Sequence, residues 1–252
     1  MYDPCRKVIA MNRISEANPS GQFWPVVFVR GCNLRCPYCL NTKIVEPPDD
    51  EFIPMDEVLS KLDDWDEPGV MISGGEFLMG HLDSENQNLI NALSAGGRKI
   101  GISTNGMSPE KILNALRHPS IGFVALDCKF GIDNTEEDAK QKAGMIGLSS
   151  SEDTVNDIHC SLGCLARWHD SDGNAQSEVR ITMYPPLVGK EDVLSVAKLV
   201  HPRSKLVLQQ YRKNKMFDGS ANAVEPYPEA FVAEIRDVAE KISPAPVELR
   251  WP

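Results

Sequence analysis

The most restrictive feature of this sequence is a regular alternation of two hydrophobic patterns along the chain. Short runs rich in Val, Ile, Leu and Phe predict β-strands, and the longer segments between them repeat apolar residues at helical spacing. The predicted strands are residues 25–30, 70–73, 99–104, 122–128, 178–183 and 205–210, and the predicted helices are residues 55–65, 84–95, 108–117, 190–200 and 227–242. Such alternation is typical of repeated β-α units built on a parallel sheet.

The number of units limits the architecture. About six β-α units are two fewer than a closed eight-stranded barrel contains, so we expect an α/β fold in the form of a partial (open) TIM-like barrel. Residues 131–177 depart from the alternation because they are polar and carry only a weak helical pattern at 153–168. We interpret them as a divergent surface insertion in the fourth crossover of a single domain that spans residues 1–252.

Charge and cysteine usage narrow the functional classes. A formal net charge of −10 disfavours nucleic-acid binding, which needs a basic surface. The sequence shows no apolar leader and no run of about eighteen apolar residues, so no membrane segment is predicted. Seven cysteines, an odd number, include three within one short loop, which favours metal ligation in a reducing compartment over disulfides. We therefore expect a cytoplasmic protein.

The three crowded cysteines are Cys32, Cys36 and Cys39, spaced CxxxCxxC after the first predicted strand. Thiolates at such spacing bind zinc or iron–sulfur centres. A closed zinc site needs four protein ligands, and no fourth Cys or His follows at finger-like spacing. A cubane on three thiolates keeps one iron open for a further ligand. The pattern favours this open cluster, and a zinc site completed by a distant cysteine or three unrelated buried cysteines are the alternatives.

Other polar residues stand at the ends of the predicted strands. Gly74 and Gly75 allow a backbone to approach a ligand closely, and Glu76 can accept a hydrogen bond from an ammonium group, although a Gly-Gly pair alone is more often just a turn. Sites in parallel α/β folds are built at the carboxyl ends of strands. We therefore expect one pocket to gather residues 32–39, 74–76, 104–106, 127, 129, 180 and 209–211.

The cysteine loop, with Tyr38 before its last cysteine, resembles the signature of the radical S-adenosylmethionine (SAM) superfamily. Residues 74–76 are similar to the GGE motif of that superfamily, with Phe77 where proline is usual. The resemblance implies a [4Fe–4S] cluster on Cys32, Cys36 and Cys39 whose open iron chelates the amino and carboxylate groups of SAM. It also implies that Glu76 binds the amino group and that reductive cleavage of SAM gives a 5′-deoxyadenosyl radical.

Further segments resemble glycyl-radical enzyme activating enzymes, in particular the activators of anaerobic ribonucleotide reductase and of pyruvate formate-lyase. The resembling segments are residues 12–14, 27–29, 39–41, 103–106, 125–129, 178–182 and 208–211, whereas residues 131–177 do not match. Carried over by position, the resemblance implies that Lys129 and Arg180 bind the cofactor carboxylate. It implies that Asp127 and Thr104 help to bind a monovalent cation, and that Tyr38, Gly74, Gly75, Ser103 and Asn105 complete the cofactor site.

Two positions depart from the pattern of these activating enzymes: Leu40 replaces a frequent histidine and Ser103 replaces an aspartate. Asp127 and Lys129 share one face of their strand, so an ordinary ion pair is the alternative for them, and Cys128 faces the core. Cys160 and Cys164 lie four residues apart without the close run of cysteines that a second cluster needs, so we interpret them as structural. Cys5 is left unassigned.

The resemblance implies an enzyme of anaerobic metabolism that abstracts hydrogen from a glycine of a partner glycyl-radical enzyme. Without a second cluster, the reducing electron comes from a flavodoxin- or ferredoxin-type donor. Residues 131–177 and 247–250 are expected to flank the entering peptide. A radical SAM enzyme with a small substrate, similar to 7-carboxy-7-deazaguanine synthases, is the second interpretation, and a non-catalytic iron–sulfur module is the third.

Overall fold

The structure is a computed structural model that describes residues 8–13, 23–47, 52–79, 83–213 and 219–251. One sheet contains eight strands in the order β1-β2-β3-β4-β5-β6-β7-β8. The strands are β1 (Val8–Asn12), β2 (Val26–Val29), β3 (Gly69–Gly74), β4 (Lys99–Thr104), β5 (Ile121–Cys128), β6 (Gln176–Met183), β7 (Lys205–Gln210) and β8 (Val247–Arg250). β1 pairs antiparallel with β2, whereas β2 with β3, β3 with β4, β6 with β7 and β7 with β8 pair in parallel.

Helices alternate with these strands as the hydrophobic pattern predicts. They are α1 (Thr42–Val45), α2 (Met55–Trp65), α3 (Asp83–Leu93), α4 (Pro109–Leu116), α5 (Glu136–Met145), α6 (Ser151–Ser171), α7 (Lys190–Ala197) and α8 (Glu229–Ala239). All six predicted strands and all five predicted helices are present, with bounds that differ from the prediction only at their ends. Within the described ranges, no helix has the length and apolar character needed to cross a membrane.

Two strands were absent from the sequence prediction. β1 and β8 have 5 and 4 residues, VIAMN and VELR, and lack the continuous run of β-branched and aromatic residues that predicted the equally short β2. Pairing with a neighbouring strand decides their conformation: Val8 lies opposite Val29, and Leu249 lies opposite Leu208. The segment 247–250 is therefore the last strand in the sheet order, which the sequence analysis had treated only as a surface near a partner peptide.

The chain divides into two compact units. The first contains residues 1–33, 43–104 and 110–125, and the second contains residues 34–42, 105–109 and 126–252. In the first unit, a buried cluster formed around the ring of Trp24 includes Val26, Met71, Phe123 and Ala125. The assignment of residues 1–252 to one domain with an insertion remains a prediction.

Residues 131–177 differ most from expectation, because they form two capped helices rather than an irregular polar segment. The Thr135 hydroxyl accepts a hydrogen bond from the Asp138 amide at the start of α5, and the Ser150 hydroxyl accepts one from the Asp153 amide at the start of α6. The 21-residue helix α6 buries Ile158, Leu162, Cys164, Leu165 and Trp168 among other side chains. The weak helical pattern at 153–168 thus predicted only part of α6, a longer helix with a buried apolar face. The sequence analysis missed α5.

The turn between α5 and α6 supports a different part of the second unit. The Arg35 amide, on the cysteine loop, donates a hydrogen bond of 2.8 Å to the Ile146 carbonyl. Gly147 follows with φ +84°, and a Cβ atom added there would lie 3.0 Å from the Cβ of Arg35. Glycine therefore allows both the left-handed backbone and the close contact with the cysteine loop.

We predict that Gly147→Ala lowers the free energy of unfolding by about 1–2 kcal/mol, the cost of placing a side chain in the left-handed region. Gly163→Ala is the matched control, because a Cβ at Gly163 meets nothing within 4 Å and the residue lies inside α6. Alanine at that helical position should raise the free energy of unfolding by about 0.5–1 kcal/mol. Chemical denaturation followed by circular dichroism measures both changes, and equal effects of the two variants would contradict this account of Gly147.

Candidate functional site

The cysteine loop follows β2 and carries three free thiols. Cys36 is buried, whereas Cys32 and Cys39 are partly exposed. A turn joins the last two cysteines, since the Cys39 amide donates to the Cys36 carbonyl at 3.0 Å. In the described part of the chain, no three His, Cys, Asp or Glu side chains are already arranged to hold a metal ion. Such an arrangement is not needed in advance, because metal binding itself draws the ligands together as their thiols lose protons.

The loop after β3 is held against the start of the cysteine loop by its backbone. The Gly75 amide donates to the Val29 carbonyl at 2.9 Å, and the Glu76 amide donates to the Gly31 carbonyl at 2.8 Å. A Cβ atom added at Gly75 would lie 1.7 Å from the Gly31 carbonyl oxygen. Glycine is thus required at 75 for close approach to a neighbouring backbone, whereas the sequence analysis had expected that approach to serve a ligand.

Glu76 is a buried carboxylate with two defined hydrogen-bond donors. Only 4% of the residue is exposed. Its Oε1 atom accepts from the Leu78 amide at 3.0 Å and from the Thr104 hydroxyl at 2.8 Å. Thr104, which the resemblance linked to a monovalent cation, therefore contacts Glu76 in this structure, and its role toward a cation stays a prediction.

Ser103 and Asn105 flank Thr104 at the end of β4, and both are largely buried. The side-chain carbonyl of Asn105 accepts from the Met107 amide at 3.0 Å, which shapes the loop that leads into α4. The Ser161 hydroxyl, on α6, donates to the Gly106 carbonyl at 2.7 Å in the same loop. Ser161 was missed by the sequence analysis because nothing local distinguishes it from other serines on a helix.

Asp127 and Lys129 form an ion pair at the end of β5, with 3.4 Å between Oδ2 and Nζ. The Oδ1 atom of Asp127 is buried and has no hydrogen-bond partner among the described residues. Between them on the strand, Cys128 is buried, and burial raises the pKa of its thiol to about 12. Cys128 is therefore a neutral core residue, as its place on the opposite strand face predicts.

Tyr38 lies where these charged groups meet the cysteine loop. Burial raises the pKa of its hydroxyl well above the ordinary value, and charges on Lys129, Cys36, Asp127 and Cys39 also act on it. The Tyr38 hydroxyl has no hydrogen-bond partner in the described ranges. Two of the predicted cluster cysteines and the predicted carboxylate-binding lysine thus act on the same buried hydroxyl within one unit.

Two more tyrosines pack against Tyr38. The ring centroids of Tyr38 and Tyr184 are 5.0 Å apart, and those of Tyr184 and Tyr211 are 4.9 Å apart. Tyr211 ends the predicted segment 209–211, but Tyr184, which directly follows β6, was missed. Its position just after a strand was the available signal. The aromatic cluster fixes the orientation of the Tyr38 ring by contact on its faces and edges.

Arg180 belongs to a buried group of charges on β6 and β8. Its Nε atom donates to Oε1 of Glu178, and both terminal nitrogens of Arg250 contact the same carboxylate, at 3.1 and 3.0 Å. Burial opposes ionisation of Glu178, but the two guanidinium groups outweigh it and lower the pKa of its carboxyl. Oppositely charged residues at alternate positions of one strand, Glu178 and Arg180, were the sequence signal for Glu178, which was missed.

The two cysteines on α6 occupy different environments. Cys164 is buried, and its thiol contacts the Pro109 carbonyl oxygen at 3.6 Å, which agrees with a structural role. Cys160 is exposed, so its interpretation as a structural residue receives no support from packing. Cys5 and Ile14 lie outside the described residues.

Comparison with known proteins shows which proteins this chain resembles. Residues 26–136 match the profile of the radical SAM superfamily. A protein of Methanocaldococcus jannaschii, provisionally named a glycyl-radical enzyme activating enzyme, is 26% identical over 216 residues, which cover 86% of this chain and 84% of that protein. Residues 26–136 are therefore similar to the radical SAM superfamily, and the predicted resemblance to this superfamily and to glycyl-radical enzyme activating enzymes is confirmed.

Solved structures agree at the level of the fold. The crystal structure of Streptococcus suis SuiB bound to S-adenosylmethionine matches with a TM-score of 0.59 and 13% identity, over 87% of this chain and 48% of that chain. A second SuiB crystal structure matches with a TM-score of 0.57 and 13% identity, over 88% of this chain and 47% of that chain. The chain thus spans about half the length of these structures. They confirm the predicted α/β fold of the partial TIM-like barrel kind.

The match to the radical SAM superfamily implies a [4Fe–4S] cluster and SAM as cofactors, and the described residues fit both. Three free thiols on one loop are suitable ligands for iron. Two buried atoms, Oδ1 of Asp127 and Nη2 of Arg180, have no hydrogen-bond partner among the described residues. The first is a charged acceptor and the second a charged donor. Buried polar atoms of this kind are costly unless a ligand or water contacts them.

We predict that Thr104→Val lowers the free energy of unfolding by about 1–3 kcal/mol, because it removes a hydroxyl donor from the buried Glu76 carboxylate. Thr104→Ser keeps the hydroxyl and is the matched control, with a smaller loss expected. Urea denaturation of the protein without cofactors measures both. If valine and serine at 104 gave the same stability, the hydrogen bond to Glu76 would contribute nothing measurable.

Proposed function

We propose that this chain reductively cleaves SAM and abstracts a hydrogen atom from a backbone glycine of a partner glycyl-radical enzyme, such as an anaerobic ribonucleotide reductase. The observation that carries the proposal is the similarity to the activating enzyme of M. jannaschii, which covers 86% of this chain and 84% of that protein. Because the similarity spans most of both chains, it supports a shared activity better than a match to the superfamily profile alone.

In this proposal, Cys32, Cys36 and Cys39 hold the cluster, and a flavodoxin- or ferredoxin-type donor reduces it. Together the bound cluster and SAM supply a 5′-deoxyadenosyl radical, with methionine released and one electron consumed. The protein contributes placement of the reacting groups and exclusion of water. The burial of Tyr38 and Cys36 supports such a dry environment.

We assign the binding of SAM to residues at the ends of the strands. Glu76 accepts from the amino group, while Lys129 and Arg180 bind the carboxylate, with charge-assisted hydrogen bonds that fix the orientation of the molecule. Gly74, Gly75, Ser103, Thr104 and Asn105 complete the proposed cofactor site. Asp127, together with Thr104, is proposed to bind a monovalent cation, and its buried Oδ1 atom supports this role.

A glycine α-hydrogen reaches the SAM-derived carbon only when a loop of the partner enters the site, because near-attack distances are about 3–3.5 Å. We propose that the surfaces of residues 131–177 and 247–250 flank this loop. The position of β8 at one end of the strand order supports the second of these surfaces.

We predict that the anaerobically reconstituted chain binds about four irons and cleaves SAM when reduced with dithionite. Cys32→Ala, Cys36→Ala and Cys39→Ala should each abolish the cluster absorbance and the formation of 5′-deoxyadenosine. Cys160→Ala is the control, because this exposed thiol should leave both unchanged. Loss of the cluster in the Cys160 variant, with retention in the Cys36 variant, would refute the ligand assignment.

We further predict that the reduced protein and SAM produce a glycyl radical on an anaerobic ribonucleotide reductase or formate-lyase-like subunit encoded beside this chain. Electron paramagnetic resonance should show the doublet of a glycyl radical, and replacement of the target glycine by alanine removes it. Absence of the doublet on every such subunit, together with turnover of a small purine-like substrate, would instead favour an enzyme similar to 7-carboxy-7-deazaguanine synthases.

A further inference from the structure

The buried charges on β6 and β8 are arranged so that Arg180 is held at one point only. Oε1 of Glu178 contacts both Arg180 Nε and Arg250 Nη1, and Oε2 of Glu178 contacts Arg250 Nη2. Arg250 therefore engages both oxygens of the carboxylate, a two-point contact that guanidinium geometry favours. Oε2 of Glu178 accepts from Arg250, and Arg180 contacts this carboxylate at Oε1 alone.

One nitrogen of Arg180 is left over by this arrangement. Its Nη2 atom is buried and makes no hydrogen bond to any described residue, although only 7% of the side chain is exposed. A buried guanidinium nitrogen without an acceptor is costly in free energy. The cost is removed when an acceptor arrives, so Nη2 of Arg180 marks the direction from which an anion would bind.

The charges of the group also do not cancel. Two guanidinium groups share one carboxylate, and although burial opposes ionisation of Glu178, these guanidiniums lower the pKa of its carboxyl. One positive charge is therefore left. The more exposed Glu248, 3.9 Å from Arg250, is itself paired with Lys205 at 3.3 Å, so these two residues leave the sum unchanged.

We propose that Glu178 and Arg250 are positioning residues of the cofactor site. By engaging both oxygens of Glu178, Arg250 orients this carboxylate so that Arg180 contacts it at one point only, which leaves the Nη2 donor of Arg180 for the carboxylate of SAM. This inference rests on the proposed role of Arg180 in binding that carboxylate. It explains why a third charged residue, from the last strand of the sheet, is part of the group.

Removing Arg250 has a definite consequence in this arrangement. Glu178 would then pair with Arg180 through both oxygens, and the pair would carry no net charge. Arg180 would have to break that pair before it could bind SAM. The loss should depend on the carboxylate of the ligand, which separates this effect from a general disturbance of the site.

The test is the binding of SAM and of its decarboxylated analogue to the cluster-loaded protein, measured by anaerobic isothermal titration calorimetry. The unchanged protein should prefer SAM. Arg250→Met should weaken SAM binding by about tenfold, the effect of one charge-assisted hydrogen bond, and leave the analogue unaffected. Arg250→Lys keeps the charge without the two-point contact, so its affinity for SAM should lie between the other two.

Lys198→Met is the matched control, because it removes a positive charge from an exposed ion pair with Asp133 that includes none of Glu178, Arg180 and Arg250, and SAM binding should not change. Circular dichroism verifies that each variant is folded. If Arg250→Met does not fold, Arg250→Lys alone decides, since wild-type affinity in it would overturn the proposal. If Arg180→Met kept the preference for SAM over the analogue, the proposed role of Arg180 itself would fail, which is a different result.

Discussion

The loops after β2 and β3 approach each other closely through their backbones, and the predicted site residues in the first unit depend on this contact. The Glu76 amide bonds to the Gly31 carbonyl, and Gly75 leaves no room for a side chain next to that oxygen. Because Glu76 follows directly, its carboxylate is carried to a fixed place where Thr104 can donate to it. A contact between two backbone segments thus determines the position of the Glu76 side chain, which is proposed to bind SAM.

In the second unit, the buried ion pairs leave some charged atoms without a hydrogen-bond partner among the described residues. Asp127 pairs with Lys129, and Glu178 is shared between Arg180 and Arg250, yet one oxygen of Asp127 and one nitrogen of Arg180 have no partner among the described residues. A stable core would satisfy such buried atoms. The unpartnered acceptor of Asp127 and the unpartnered donor of Arg180 therefore support the cation and SAM contacts that are proposed for these two residues.

Residues 131–177 show where local patterns are insufficient. Their polar composition predicts a surface insertion, but Thr135 and Ser150 cap two helices, and α6 buries an apolar face. The carbonyl of Ile146 binds the amide of Arg35, and the Ser161 hydroxyl binds the carbonyl of Gly106, so this crossover supports two loops that carry predicted site residues. Such contacts join residues far apart in the chain, and no periodicity records them.

The sequence by itself determined the six β-α units, the cysteine spacing and the placement of polar residues after strands, because hydrophobic periodicity and short motifs are local properties. It also carried the resemblance that the superfamily profile and the M. jannaschii protein confirm. Tertiary structure alone decided that β1 pairs with β2 and that β8 pairs with β7. It also decided the need for glycine at 75 and the contacts among Glu178, Arg180 and Arg250. These depend on distance in space, since a short strand, a backbone contact or an ion pair exists only when its distant partner is in place.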